Sequence, residues 1–221
     1  MEQQCFLGSE LFSEVSGAEI DLLAKSSRRL NIVKGDTVFM QGDRASSIFI
    51  LHEGTIKISR VNLDGRKLTI DLIEPGHFFG ELCLAGEKER RSFAEAMVDS
   101  LCCELDKGHL TEFMNKRPDF ALKLIKHMGN RRLAMENLLE DMAFMDVASR
   151  VLALLIKYSV KKIVKIPLTH QEIADLTGST RVSVSRCMAQ LRKDGFIETA
   201  GERIRLVNDT ALADHALYAA S

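Results

Sequence analysis

The chain has 221 residues, of which 46% are apolar and 28% are charged, and its formal net charge is -1. These are ordinary values for a globular protein, and the length allows one large domain or two modest ones, which excludes a disordered or fibrous chain. No stretch approaches the roughly 18 uninterrupted apolar residues of a membrane span, and the opening "MEQQCFLGSE" lacks the basic start and apolar core of an export signal, so we expect a cytoplasmic protein.

The net charge is unevenly distributed along the chain. Residues 1–146 carry 19 Lys and Arg against 24 Asp and Glu, a balance of -5, whereas residues 147–207 carry 11 against 5, a balance of +6. The tail adds the acids Asp209 and Asp214. A basic segment in an almost neutral chain indicates a separate domain that faces a polyanion.

The cysteines show no C-x-x-C pair. The five are Cys5, Cys83, Cys102, Cys103 and Cys187. Neither a disulfide framework nor a zinc ribbon is indicated by this spacing. We expect reduced thiols that are mostly buried, with Cys102 and Cys103 on opposite faces of a strand and one of them in the core.

The first two thirds of the chain alternate between a helical start and many short strands. Ser16 and Glu19 form a capping box that predicts a short helix continuing through residues 20–30. From Asn31 to about Glu104 the hydrophobic period is two, and an Asp64-Gly65 hairpin turn falls within this region. Glycine turns separate the runs at Gly35, Gly42, Gly54, Gly65, Gly76 and Gly86. This pattern predicts a β-sandwich or barrel.

A long helix is predicted to begin at Pro118 and to run to about Met145. A heptad of apolar residues, interrupted by Arg131, comprises Ala121, Leu124, Met128, Met135, Leu138, Met142 and Met145. We expect this seam to form a parallel or near-parallel homodimer, while Leu122, Ile125 and Leu139 face the chain's own β-domain. The alternative is that the seam itself packs on the β-domain.

The basic segment reads as a helix over residues 147–160, a strand over residues 162–168 and then a helix-turn-helix. Thr169 and Glu172 form a second capping box, Gly178 closes the first helix, and Ser179 is in place to cap the second. The expected buried stripe of the second helix is Val184, Cys187, Met188 and Leu191. Residues 196–207 then predict a wing hairpin that turns at residues 200–202.

The exposed start of the second helix carries arginines and small hydroxyl residues. Arginine forks onto guanine O6 and N7, and serine or threonine donates to phosphate. The residues predicted to contact DNA are Thr169, Ser179, Thr180, Arg181, Val182, Ser183, Ser185 and Arg186.

Three stretches resemble one family over essentially the whole chain. They are "KGDTVFMQGDRASSIFILHEGTIKI", "FFGELCLAGEKERRSFAEA", and "AFMDVASRVL" leading to "QEIADLTGSTRVSVSRCMAQLRKDGFI". The chain thus resembles the cyclic-AMP receptor protein and fumarate-nitrate regulator superfamily of bacterial transcription factors. The resemblance implies an α+β fold: a cyclic-nucleotide-binding-type β-roll (jelly roll) over residues 1–117, a long dimerisation helix and hinge over 118–146, and a winged helix-turn-helix domain over 147–221.

The resemblance also implies an effector site for a cyclic phosphate, which is a singly charged anion. In the family's pattern Glu81 accepts from a ribose hydroxyl, and Arg91 and Ser92 bind the phosphate. The residues expected to bind the effector are Gly80, Glu81, Leu82, Cys83, Arg91, Ser92, Met135 and Glu136. The alternative is that Glu81 and Arg91 form an ordinary ion pair that steadies the loop.

Two departures from the family pattern leave the effector open. Met135 and Glu136 align with a Thr-Ser pair that contacts adenine in the cyclic-AMP receptors. Methionine cannot make that hydrogen bond, whereas Glu136 could accept from an exocyclic amine. Cyclic AMP is the first candidate, and guanine, another nucleotide or no ligand stay open.

The resemblance implies three binding partners. They are double-stranded DNA with a palindromic operator, a second copy of the chain through helix 118–146, and RNA polymerase if the protein is an activator. Whether it activates or represses stays open. Val182 stands where the family commonly has a glutamate, so we expect a changed operator at that position. No membrane, no covalent cofactor and no catalysis are expected.

Other interpretations are that the same fold senses a different signal or that the chain is a metal enzyme. Cys5 alone cannot supply the N-terminal cysteine cluster of an iron-sulfur regulator. Haem, redox state or another anion are the alternatives to a cyclic nucleotide. A remote reading is a cupin-like metal enzyme using His77 and Glu81 at H-x3-E, but Pro75 stands where a histidine is expected, and His52 has no clear partner.

Overall fold

The computed structural model describes residues 6, 9–200 and 203–207. The helices are α1 Gly17–Lys25, α2 Lys107–Lys116, α3 Pro118–Phe144, α4 Val147–Lys157, α5 His170–Thr177 and α6 Arg181–Lys193. The strands are β1 Ser27–Ile32, β2 Thr37–Phe39, β3 Ser47–Glu53, β4 Ile56–Val61, β5 Lys67–Ile73, β6 Phe78–Phe79, β7 Phe93–Ala96, β8 Ser100–Asp106, β9 Ser159–Val160, β10 Ile163–Val164, β11 Ile197–Ala200 and β12 Arg203–Leu206.

The chain divides into two compact units. The first contains the residues up to 66 together with 70–133, and the second contains 67–69 together with the residues from 134 onward. Helix α3 begins in the first unit and ends in the second. No helix within residues 9–200 is both long enough and apolar enough to cross a membrane.

The first unit contains two four-stranded sheets, ordered β1-β8-β3-β6 and β2-β7-β4-β5. Both sheets contribute side chains to one buried cluster, which includes Phe49 and Phe79 from the first sheet and Ile58 and Ala94 from the second. The alternating apolar pattern therefore produces the predicted sandwich, here a β-roll.

The other face of the first sheet is also buried. Ile48, Cys103 and Leu105 share a second cluster with residues of α1, α2 and α3. Cys102 faces the cluster between the sheets, and Cys103 faces the helices. Both cysteines are therefore core residues, and the expectation of only one in the core is wrong because this sheet is covered on both sides.

In the first unit one helical prediction is wrong and one helix was missed. Helix α1 ends at Lys25 rather than near residue 30, because Ser27–Ile32 pair antiparallel with β8 as strand β1. Helix α2 was not predicted, although Asp106 caps it by accepting from the Gly108 amide at 2.7 Å. Pro118 occupies the first position of α3 as predicted.

The two predicted faces of α3 are exchanged in the first unit. Leu124 is 4% exposed and Met128 packs against the cluster beneath the helices, whereas Leu122 and Ile125 are 67% and 62% exposed. In the first unit the predicted seam residues Leu124 and Met128 therefore pack on the β-domain, as in the alternative. The sequence did not decide this, since Leu122 and Ile125 are as apolar as Leu124 and Met128, and only the contact with the β-roll distinguishes them.

The second unit contains α4, α5 and α6 with a small sheet ordered β11-β12-β10-β9. The strand predicted over residues 162–168 has only two residues, Ile163 and Val164. It begins after a tight turn in which Lys161 and Lys162 have positive φ angles, and Pro167 has no N–H for a ladder bond. The wing hairpin is formed, with Ala200 opposite Arg203, and its predicted turn residues 201–202 lie outside the described residues.

Candidate effector and DNA-binding sites

The candidate effector loop is residues 80–92, between β6 and β7. Gly80 adopts a left-handed conformation, with φ 79° and ψ 13°, and leads into a 3-10 helix over Glu81–Cys83. Only glycine adopts this backbone without strain. The turn places Glu81 at the start of the short helix, where it is 8% exposed.

Arg131 on α3 neutralises the buried Glu81. Its Nη1 lies 2.9 Å from Glu81 Oε2, and its Nη2 lies 2.7 Å from Asp71 Oδ2 on β5. The same guanidinium donates to the Phe78 carbonyl at 3.4 Å. In the sequence Arg131 interrupts the apolar heptad, and this interruption was the available signal that its side chain has a charged partner.

Arg91 points away from this ion pair. Its side chain is 75% exposed, and its Nε lies 3.9 Å from Glu87 Oε1. Ser92 is half-buried, Leu82 is exposed and Cys83 is buried. The alternative reading, a simple Glu81–Arg91 pair, is therefore wrong, because Glu81 pairs with Arg131 and Arg91 faces Glu87.

Met135 and Glu136 lie further along α3, in the second unit. Met135 is exposed and Glu136 is half-buried. Their assignment to the effector stays a prediction.

The state of the described thiols tests the alternative that the protein senses redox state. Cys83, Cys102 and Cys187 are free, and burial raises the pKa of each thiol, to about 12 for Cys102. Raised pKa values disfavour the reactive thiolate. Cys103 is disulfide-bonded, so the expectation of reduced thiols is wrong at this position, and Cys5 lies outside the described residues.

The residues of the cupin-like reading have other neighbours. The ring centroid of His77 lies 5.4 Å from that of His127, and Glu81 pairs with Arg131. Burial lowers the pKa of His127 to about 4, with Arg131 and His77 adding to the shift. Within the described part of the chain, no group of three His, Cys, Asp or Glu residues is arranged to hold a metal ion.

The helix-turn-helix is built by its caps. Thr169 and Glu172 form the predicted capping box, and Gly178 ends α5 in a left-handed conformation with φ 61°. The cap of α6 is Thr180, whose hydroxyl accepts from the Ser183 amide at 3.1 Å. The prediction that Ser179 caps α6 is therefore wrong: its hydroxyl donates to the Thr177 carbonyl at 3.3 Å.

Helix α6 has a buried stripe and an exposed face. Val184, Met188 and Leu191 are buried, while Cys187 is only partly buried. The exposed face includes the predicted contacts Arg181, Val182 and Arg186, and these line one shallow depression together with Ser185 and Ala189. Ser185 has an additional partner, because its hydroxyl lies 2.9 Å from Nδ1 of His170 at the start of α5. An exposed helix face with two arginines is suited to the major groove.

A β-roll, a long helix and a winged helix-turn-helix in one chain define a class of DNA-binding transcriptional regulator. Comparison with known families agrees. Residues 29–117 match the cyclic nucleotide-binding domain, and residues 147–215 match the Crp-like helix-turn-helix domain.

Individual relatives extend over most of the chain. The transcriptional regulator LdrP of Thermus thermophilus is 33% identical over 181 residues, which cover 80% of this chain and 91% of LdrP. A CRP-like cAMP-activated global transcriptional regulator of Mycobacterium tuberculosis is 27% identical over 93% of this chain and 96% of its own length. The crystal structure of a CRP-family transcriptional regulator from Thermus thermophilus matches with a TM-score of 0.73 and 25% identity, covering 86% of this chain and 96% of that one. The chain therefore belongs to the cyclic-AMP receptor protein and fumarate-nitrate regulator superfamily, and these relatives are regulators of transcription rather than enzymes.

Proposed function

We propose that the protein is a homodimeric, sequence-specific DNA-binding regulator whose affinity for DNA is gated by a cyclic nucleotide. The proposed division is an effector domain over residues 1–117, a dimerisation helix and hinge over 118–146, and a DNA-binding domain over 147–221. The observation that carries the effector assignment is the buried Glu81, held behind a left-handed glycine by Arg131. Arg131 compensates this buried charge, and the carboxylate can in addition accept a hydrogen bond from a ribose hydroxyl.

The loop offers the groups that a cyclic phosphate requires. Arg91 is exposed and its contact with Glu87 is long, so its guanidinium can turn toward an anion. Ser92 follows it as a hydroxyl donor, and the amides of Leu82 and Cys83 lie at the start of the 3-10 helix. An arginine fork with a hydroxyl and backbone N–H groups matches a singly charged phosphate.

Cyclic AMP is the first candidate for the effector. The Mycobacterium tuberculosis relative is described as cAMP-activated, and the effector domain matches the cyclic nucleotide-binding family. Met135 and Glu136 replace the Thr-Ser pair of the cyclic-AMP receptors, so the base preference is the open part of this proposal.

The test is calorimetric titration of the purified protein with cyclic AMP and with cyclic GMP, each followed by a DNA-binding assay. We expect saturable binding of one nucleotide, its loss in Arg91→Ala, and no change in the control Arg66→Ala, which removes an exposed arginine at the β4–β5 hairpin. Absence of binding by the wild-type protein would overturn the proposal that the effector is a cyclic nucleotide. Haem, redox state or another anion would then be the alternatives.

The proposed dimer uses the exposed face of α3 that begins with Leu122 and Ile125. Gly129 continues this face, and an added Cβ there would meet no atom within 4 Å, so a second helix can approach closely. We expect Leu122→Glu to dissociate the dimer in sedimentation analysis. The control is Leu22→Glu, because Leu22 on α1 is exposed to a similar extent, 61%. Equal behaviour of both variants would contradict this seam.

The proposed DNA contacts are made by Thr169, by residues 179–183, and by Ser185 and Arg186, with Arg181 and Arg186 as the base-reading arginines. Arginine prefers guanine, whereas Val182 can offer only methyl contact to thymine. We expect selection from random DNA to return a palindrome that differs from the family consensus opposite Val182. Arg186→Ala should weaken binding by about 1–3 kcal/mol, and Arg192→Ala serves as the control at the other end of α6. Recovery of the unaltered consensus would contradict the role of Val182.

In the proposed switch, effector binding changes the packing of α3, and this change is transmitted to the segment that follows the helix. Arg150 on α4 donates to the Met145 carbonyl at 2.7 Å and lies 3.5 Å from the Ser179 hydroxyl in the helix-turn-helix. This side chain connects the hinge at residues 144–146 to the DNA-reading motif. An effector shifts the equilibrium between two dimer states only by its differential affinity for them. RNA polymerase is a further partner if the bound state activates.

A further inference from the structure

Two adjacent arginines of the effector loop have opposite environments. Arg90 is 3% exposed, whereas the side chain of Arg91 is 75% exposed. Of these two arginines, only Arg91 is assigned to the effector. A buried arginine needs a structural explanation, because burying an unpaired charge is costly.

The guanidinium of Arg90 connects two backbone segments. Its Nη1 donates to the Gly80 carbonyl at 2.8 Å, and its Nη2 donates to the Ser47 carbonyl at the start of β3. The planar group also lies over two aromatic rings, with Cζ 4.4 Å from the ring centroid of Phe39 and 5.6 Å from that of Phe49. These contacts attach the turn before Glu81 to the sheet beneath it.

The backbone of Arg90 is held as well. Its amide donates to the Asp43 carbonyl at 2.7 Å, and its carbonyl accepts from the Gly42 amide at 2.9 Å. The side chain therefore starts from an anchored position, and it can transmit that position to the loop.

Gly80 is fitted closely to this guanidinium. A Cβ added at Gly80 would lie 2.9 Å from Arg90 Nη1 and 3.2 Å from a ring carbon of Phe49. Glycine is therefore required here both by its left-handed φ and by the space that Arg90 occupies. Since Gly80 immediately precedes the 3-10 helix, the position of Arg90 determines where Glu81 and the amides of Leu82 and Cys83 lie.

We propose that Arg90 is a positioning residue of the effector site, which fixes the anion-binding loop so that Arg91 is left to face the ligand. This inference rests on the proposed effector function. Lysine cannot replace Arg90, because a single ammonium group cannot reproduce a planar fork that is also stacked on rings.

The test compares Arg90→Met with Arg91→Met in the full-length chain, which is the same change at neighbouring positions. Hydrogen exchange is followed at four loop amides, those of Leu84, Ala85, Gly86 and Glu87, all bonded to carbonyls of residues 81–83. We expect Arg90→Met to speed their exchange by about 10-fold or more, because the two carbonyls lose their buried donor, with β8 amides unchanged. Arg91→Met should leave all these amides unchanged.

Nucleotide titration supplies the second readout. Both variants should bind cyclic nucleotide about 10-fold or more weakly, but only Arg90→Met should combine this loss with a loosened loop. Arg90→Lys retains the charge and is examined in parallel, with intermediate exchange expected, in case Arg90→Met does not fold.

Unchanged loop exchange in both Arg90 variants would overturn the inference. Equal acceleration in the loop and in β8 would also overturn it, because Arg90 would then support the whole domain rather than the loop. If the wild-type protein binds no cyclic nucleotide, the proposed effector fails, and the exchange data alone decide whether Arg90 positions the loop.

Discussion

The effector loop and the helix-turn-helix are organised by contacts of different range. In the helix-turn-helix, caps join residues three positions apart, such as Thr169 with Glu172 and Thr180 with Ser183. In the effector loop, Glu81 depends on Arg131, which is 50 positions away, and Gly80 depends on Arg90. A locally organised site is visible in its sequence, whereas a site organised by distant residues is visible only in part.

The largest expected effect tests the distant contact. Arg131→Met leaves Glu81 and Asp71 without their guanidinium, and we expect a loss of about 2 kcal/mol in the free energy of unfolding, reduced by the partial exposure of the pair. Chemical denaturation measures it. Adding Glu81→Gln to this variant should recover part of the loss, because the buried charge is then removed. A neutral effect of Arg131→Met would mean that solvent replaces the ion pair.

A smaller effect tests the local contact. Thr180→Ala removes the cap of α6, and we expect it to cost about 1 kcal/mol in thermal or chemical unfolding of the second unit. Ser179→Ala is the matched control, since its hydroxyl does not cap the helix. A larger cost at Ser179 than at Thr180 would contradict the assigned cap.

The smallest effect on stability is expected at Glu19, which makes one local contact and one distant contact. Glu19 accepts from Ser16 in its capping box and from Arg117, 98 positions away, and these hydrogen bonds lower its pKa from 4.5 to about 2. A lowered carboxyl pKa adds stability above pH 4.5, and this stability is lost as the pH falls toward 2. We expect Arg117→Met to flatten the acid side of the stability profile.

Lys116→Met is the control for this profile, because it removes a neighbouring positive charge and leaves the Arg117 hydrogen bonds in place. Arg117 also donates to Asp119 and lowers the pKa of that carboxyl to about 2. Equal profiles for the two variants would show that general charge, rather than the contacts of Arg117 with Glu19 and Asp119, sets the acid stability. Because the Glu19–Arg117 pair is partly exposed, added salt should reduce the difference between the two variants.

The predicted elements were right where neighbouring residues decide them. The short strands, the capping boxes at Ser16 and Thr169, the helix end at Gly178 and the start of α3 at Pro118 are all formed. Glu81 and the arginine-rich start of α6 were also identified as candidates. The contacts of Arg131 and Arg90 were not predicted: the break in the heptad marked Arg131 without naming its partner, and nothing near Arg90 in the sequence indicates the carbonyls it contacts.

The sequence by itself predicted a β-sandwich or barrel and the helix-turn-helix, because alternation, turns and caps act over a few residues. Only the tertiary structure decided which face at the start of α3 is buried, because apolar residues lie on both faces there and the surface of the β-roll covers one of them. It also decided that Cys102 and Cys103 both lie in the core and that Arg90 rather than Arg91 is enclosed. Such choices depend on which distant groups fill the remaining space, because a charge is buried stably only where carbonyls or carboxylates are placed to compensate it.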